Sequence, residues 1–263
     1  MDGTQVCQSE VRVGARRREP GLESMIKYPT GSAIALITQM RAGTHYMCAA
    51  LRTALEATIY RPDREAQFVV MDDEYIRKGL HSSDPIALPE ARPERTVYFC
   101  HYYHWQQHLL IDLPKIYLIG FPLDSFYSDG VVASHATNDP APSGPRAASY
   151  VMRFDSPEWR ALEYKMKANA DWLMTITESD DARIFRYEDL LADFDASARR
   201  LEAYTGGFVN SLPKPIKNAR RAYWTESYSS AFDAKALAAL WDYFAPSLER
   251  FYPERLGSLK AAL

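Results

Sequence analysis

Apolar residues along this chain come in two rhythms. Short unbroken runs occur at Ala33-Ile34-Ala35-Leu36-Ile37-Thr38, Thr96-Val97-Tyr98-Phe99-Cys100, Lys115-Ile116-Tyr117-Leu118-Ile119 and Arg183-Ile184-Phe185-Arg186-Tyr187. Runs of this kind are what strands buried on both faces of a parallel sheet show. Between and after them, apolar residues recur at helical spacing. Met47, Ala50, Leu51, Ala54 and Leu55 follow the turn Arg41-Ala42-Gly43-Thr44. Trp159, Leu162, Met166, Leu173 and Ile176 follow Ser156-Pro157, an N-cap with a first-turn proline. Another helix is expected from about Glu188 to Tyr204, stopping at Gly206-Gly207. The last begins near Asp233 with Leu237, Leu240, Trp241 and Phe244, and Pro246 should end or kink it. Strands alternating with helices predict an α/β fold, a central, mostly parallel sheet flanked by helices.

Two stretches break the rhythm. Residues 1–29 are polar, with Arg16-Arg17-Arg18 and no apolar stretch behind it, so they read as a flexible lead-in and not as a secretory signal. Residues 30–263 then form a single domain. From Gly130 to Ser149 the chain is rich in Pro, Ala, Ser, Asn and Gly without period, and is expected to be a long surface loop suited to a lid.

Composition narrows the class. Of 263 residues, 47% are hydrophobic and 25% charged, ordinary globular values that exclude a disordered chain. The net charge of −3 provides no basic field for nucleic acid. No apolar window is long enough to span a membrane. Cys7, Cys48 and Cys100 are too scattered for a disulfide framework or zinc knuckle, which points to a reducing, cytoplasmic setting. Oligomeric state is not legible.

Candidate chemistry gathers at strand ends. In Gln39-Met40-Arg41-Ala42-Gly43-Thr44-His45-Tyr46, a glycine turn opens a helix whose first amides and dipole attract an anion, and Arg41 adds a fixed cation. Taken alone, these residues read first as a plain strand-to-helix turn with a surface arginine. No Walker A pattern is present, which argues against a small-molecule kinase. His101 follows a strand, where α/β sheets place ligands, and has the pKa of a general base. His101, His104 and His108, if helical, would share a face and make a zinc site conceivable; structural histidines are the bland alternative. After the third strand, Gly120-Phe121-Pro122-Leu123-Asp124-Ser125-Phe126-Tyr127-Ser128 offers Ser125 and Ser128 to a phosphate, or simply a proline turn capped by Asp124. The pair Glu188-Asp189 suits a helix start without further role.

In this order, the segments resemble the PAPS-dependent sulfotransferases. Arg41 to Tyr46 looks like that family's 5′-phosphosulfate loop, and Lys115 to Ser128 like its 3′-phosphate strand and helix. Tyr187-Glu188-Asp189-Leu190 matches its Tyr-Glu-Asp-Leu, and Lys217-Asn218-Ala219-Arg220-Arg221-Ala222-Tyr223-Trp224 is a worn copy of its C-terminal phosphate loop. The resemblance implies a P-loop-like sulfotransferase architecture. It implies in-line transfer of a sulfuryl group from 3′-phosphoadenosine 5′-phosphosulfate (PAPS) to a hydroxyl or amine of a small-molecule or glycan acceptor, with no metal. By it, Arg41, Ala42, Gly43, Thr44, His45 and Tyr46 hold the 5′ side, and Arg41 stabilises the departing charge. Ser128, Tyr187, Lys217, Arg220 and Arg221 complete the nucleotide site. His101 is the base. Tyr102, Tyr103, His104 and Trp105 beside it are candidates to line the acceptor pocket or merely to pack, since their amphipathic rings suit either.

The chain departs from the family pattern. Gly120 stands where an arginine usually binds the 3′-phosphate, Lys217 replaces another arginine, and alanines replace both loop glycines. The alternative reading is therefore a sulfotransferase-like protein with impaired donor binding that acts as a non-catalytic binding protein.

Overall fold

The computed structural model describes residues 32–63, 67–78, 88–135, 150–205 and 228–263. The expected lead-in over 1–29 and the Gly206-Gly207 helix stop lie outside these residues. Among the described residues, β1 (Ser32–Thr38), β2 (Ala57–Pro62), β3 (Phe68–Val70), β4 (Arg92–His101), β5 (Lys115–Ile119) and β6 (Ile184–Arg186) form one sheet. Their order is β3-β2-β4-β1-β5-β6. Every pairing is parallel except β2 with β3.

Helices cover both faces, as the doubly buried strand runs require. On one face Ala33, Ala35, Ile37, Tyr98 and Cys100 pack with α3 (Pro122–His135), α4 (Pro157–Thr175) and α8 (Ala234–Phe251). On the other, Leu36, Val97, Phe99 and Leu118 pack with α1 (Thr44–Leu55), α5 (Tyr187–Ala192) and α6 (Phe194–Thr205). Alternate strand residues thus serve opposite cores. The large side chains Trp159, Phe121, Phe185 and Phe244 are fully buried, each contributing about 1.5–3 kcal/mol by leaving water. The other described α-helices, α2 (Asp73–Lys78), α7 (Tyr228–Ala231) and α9 (Leu256–Lys260), are short. No described helix is long and apolar enough to cross a membrane.

Several expected elements take a different form. The helix expected over 188–204 is two helices, α5 and α6, separated at Asp193, whose carboxylate accepts the Ala196 N–H at 3.0 Å and so starts α6. Pro246 does not end α8, which runs on to Phe251. Asp124 is not a cap. It is the third residue of α3, buried and paired with Arg255 at 3.0 Å. The aperiodic stretch expected from Gly130 is still α3 as far as His135, and residues 136–149 lie outside the described residues.

The chain leaves β1 toward β2 on one side and leaves β5 toward β6 on the other. The carboxyl ends of β1 and β5 therefore flank the crevice where an open α/β sheet binds ligands.

Candidate functional site at the strand ends

The loop after β1 turns sharply. Arg41 has φ 56° and Gly43 has φ 81°, both in the left-handed region. Gly43 is the N-cap of α1, and no side-chain hydrogen bond caps that helix. Its first turn has no acidic residue. The amide end of a twelve-residue helix thus faces the crevice with its dipole unneutralised by a side-chain cap. Glycine is required at 43 for a second reason. A Cβ there would lie 2.3 Å from the Tyr187 ring, so that ring rests directly on the loop. Ala42, Thr44 and Tyr46 are buried beneath it, and His45 packs on Tyr75 with ring centroids 4.9 Å apart.

Arg41 reaches across to α3, where its Nε lies 3.2 Å from Asp129 Oδ1. Its side chain remains 42% exposed, so the pair is a weak, solvent-screened one. Ser128, the residue before Asp129, is buried in α3. Ser125 Oγ is buried with no hydrogen-bond partner among the described residues.

His101 is the last residue of β4, in register with Thr38 of β1. Its Nδ1 lies 2.9 Å from Thr38 Oγ1, and Thr44 Oγ1 donates to that same oxygen at 3.1 Å. A chain of hydroxyls therefore joins the first residue of α1 to the imidazole. The ring is packed edge-on by Phe99 and face-on by Tyr103, which stacks at 5.4 Å and 17°. Burial, then His104 and more distant cations, pushes the His101 pKa down to about 3, against a smaller upward pull from the Thr38 carbonyl. At neutral pH the ring is uncharged and holds a lone pair.

The neighbours of His101 are placed differently from one another. The turn after β4 closes by a His104 N–H to His101 carbonyl bond of 2.9 Å. The His101 backbone N–H donates to His104 Nδ1 at 3.2 Å, which turns that ring back onto the loop. Tyr102 is spent in packing and is not open to a pocket: it is buried, stacks on Trp172, and donates its hydroxyl to the Lys165 carbonyl at 2.7 Å. Tyr103 is half-buried beside His101, with Lys165 Nζ 5.6 Å from its ring centroid. Trp105 opens a short 3₁₀ helix, Trp105–Leu110, and its side chain lies outside what is described. His101, His104 and His108 do not share a helical face, because a strand end, a turn and that 3₁₀ helix separate them. Among the described residues no group of three or more His, Cys, Asp or Glu could hold a metal ion.

Sequence reading missed what ties the strand ends together. The Gly120 N–H donates to Gln39 Oε1 at 3.1 Å, and the Phe121 N–H to Glu188 Oε1 at 3.0 Å. Tyr252 donates its hydroxyl to Glu188 Oε2 at 3.2 Å. Glu188 is thus not a surface helix-start charge. It is a buried acceptor joining α5 to the β5–α3 turn. A carboxylate just after a strand, where solvent would be scarce, was the one signal available. Arg186 holds Asp189 through two bonds of 2.9 and 2.6 Å, which leaves the acidic pair with separate tasks. Lys217, Arg220 and Arg221 lie outside the described residues.

Four segments far apart in sequence therefore meet at one end of the sheet: the Arg41 loop, His101, the start of α3 and Tyr187. Neither a family model nor a curated relative matches the chain. Among solved structures, the chain is similar to mouse sulfotransferase SULT7A1 complexed with PAP, at 15% identity over 88% of this chain and 87% of that one, with a TM-score of 0.47.

Proposed function

We propose that this protein transfers a sulfuryl group from PAPS to a hydroxyl or amine of a small-molecule or glycan acceptor. The observation that carries the reading is the convergence on one loop: Tyr187 rests on Gly43, Arg41 bonds Asp129 beside Ser128, and Thr44 connects through Thr38 to His101. The resemblance drawn from the sequence assigns Arg41, Gly43, Thr44, Ser128 and Tyr187 to one nucleotide site and His101 to the base, and these residues are neighbours.

The uncapped start of α1 fits the anionic 5′ side of the nucleotide, since helix amides and a cation stabilise charge that builds on a departing oxygen. Arg41 supplies that cation once it turns from Asp129. Ser128, Tyr187, Lys217, Arg220 and Arg221 are proposed for the remainder of the nucleotide. His101, uncharged at neutral pH, takes the acceptor's proton. Tyr103 and His104 stand beside it for the acceptor, on a cytoplasmic protein whose residues 30–263 form one domain.

Calorimetry with 3′-phosphoadenosine 5′-phosphate and with AMP tests the nucleotide site. The first is expected to bind more tightly, and equal affinity would mean that no 3′-phosphate site operates. Transfer of radiolabelled sulfate from PAPS to a panel of hydroxyl and amine acceptors tests the reaction. A second reading, a binding protein of this fold without turnover, is favoured by Gly120 in the arginine position and by the carboxylate of Asp129 within the site. Nucleotide binding without transfer to any acceptor would select it.

A further inference from the structure

We infer that Thr38 is a positioning residue that sets the tautomer of His101 according to whether the loop at Thr44 holds an anion. The inference rests on the sulfuryl-transfer reading above. Thr44 Oγ1 is 3.1 Å from Thr38 Oγ1, which is 2.9 Å from His101 Nδ1, and both threonines are buried. Each hydroxyl owns a single proton. With the loop empty, only one ordering gives both protons an acceptor among the described residues: Thr44 donates to Thr38, and Thr38 donates to His101 Nδ1. Nδ1 is then the acceptor, so the neutral ring carries its proton on Nε2. That nitrogen is the one left to face an acceptor molecule, and in this state it has no lone pair to offer.

An anion at the start of α1 gives the Thr44 proton a new acceptor. The order can then reverse. Thr44 donates to the anion, Thr38 donates to Thr44, and Nδ1–H donates to Thr38. Nε2 gives its proton to water, and water returns one at the loop that is passed along the Thr44 and Thr38 hydroxyls to Nδ1, so the charge of the ring and the total proton count are unchanged. Nε2 is left with its lone pair, ready to accept a proton from the acceptor. Donor binding thereby arms the base, and an empty site keeps it idle.

His104 provides an internal reference. Its Nδ1 accepts the His101 backbone N–H at 3.2 Å, which fixes its proton on Nε2 whether or not the loop is filled.

The test is nitrogen NMR of the full chain with ¹⁵N-labelled histidine, read with and without saturating 3′-phosphoadenosine 5′-phosphate. His101 is expected as the Nε2–H form alone and as the Nδ1–H form with nucleotide, while His104 stays Nε2–H throughout. Thr38→Val should abolish the exchange and lower kcat about tenfold or more with donor KM little changed. Thr38→Ser, which keeps the hydroxyl, should restore both. An Nδ1–H ring before any ligand overturns the inference, as does an unchanged ring when calorimetry shows the nucleotide bound. An absence of nucleotide binding removes the sulfuryl-transfer reading and the inference with it.

Discussion

Gly43 meets two demands at one position: a φ of 81° and the flat of the Tyr187 ring against its α-carbon. Gly43→Ala is expected to cost about 1–2 kcal/mol for the left-handed backbone alone, and more for displacing Tyr187. The double variant Gly43→Ala/Tyr187→Ala separates the two terms. Its total cost, from urea unfolding, should fall well short of the sum of the singles, because the clash can be lost only once. Full additivity would mean that ring and loop do not touch in solution. His101 has a signature of its own. Its pKa is pushed from 6.5 down to about 3, so between those values the unfolded chain binds a proton that the native ring refuses. Stability therefore falls as pH drops from about 6.5 toward 3 and is flat above, as far as this group is concerned. His101→Gln should reduce that slope, measured by unfolding at neutral and mildly acidic pH. His101→Ala should lower turnover by about 10²–10⁴-fold while nucleotide affinity barely changes. A near-normal rate would remove His101 from the chemistry.

At the scale of elements, the strands β1, β4 and β5 were legible because both their faces are covered and polar residues are excluded from their runs. β2 and β3 were not. They form one edge of the sheet, where Thr58, Arg61 and Pro62 are tolerated and the apolar run dissolves. The break between α5 and α6 was hidden for a related reason, since the apolar spacing continues across Asp193 while the backbone does not. Pro246, expected to end or kink the last helix, does not end it. It is exposed at a late position of α8, where the cost of its missing N–H is outweighed by the packing of Phe244, Leu248 and Phe251. Pro246→Ala is accordingly expected to stabilise the fold by about 1–2 kcal/mol, the interior helix penalty less the entropy that proline removes from the unfolded chain. A rise in Tm checks it, and a fall would mean that the ring packs.

Over the whole molecule, the order of strand ends made it legible that Arg41, Gly43, His101 and Tyr187 lie at one end of the sheet, because each stands at or a few residues past the end of an apolar run. The side-chain bonds of Thr38 and Gln39 were not legible. The two residues read as the tail of a strand, and their role depends on which strand lies beside them. The charge balance is also a property of the whole. Asp129 places a negative charge in a site proposed for an anion and occupies Arg41 at 3.2 Å. Asp129→Asn should tighten 3′-phosphoadenosine 5′-phosphate binding about two- to fivefold, the scale of one exposed charge pair, and make it more salt-sensitive. Unchanged affinity would place the nucleotide away from Arg41.

The buried Glu188 and the Asp124–Arg255 pair also bear on the order of events during synthesis. Arg255 follows Asp124 by 131 residues, and Tyr252 follows Glu188 by 64. A ribosome thus finishes the six described strands well before it makes the side chains that join α5 and α3 to the C-terminal segment. A nascent chain whose α8 has left the ribosome while Tyr252 has not should already protect its sheet from proteolysis, yet should not retain nucleotide until the later segment emerges. Comparing stalled chains, each extended by a linker that fills the exit tunnel and exposing residues up to Phe251 or past Arg255, would show whether competence arrives with the sheet or only with those two residues.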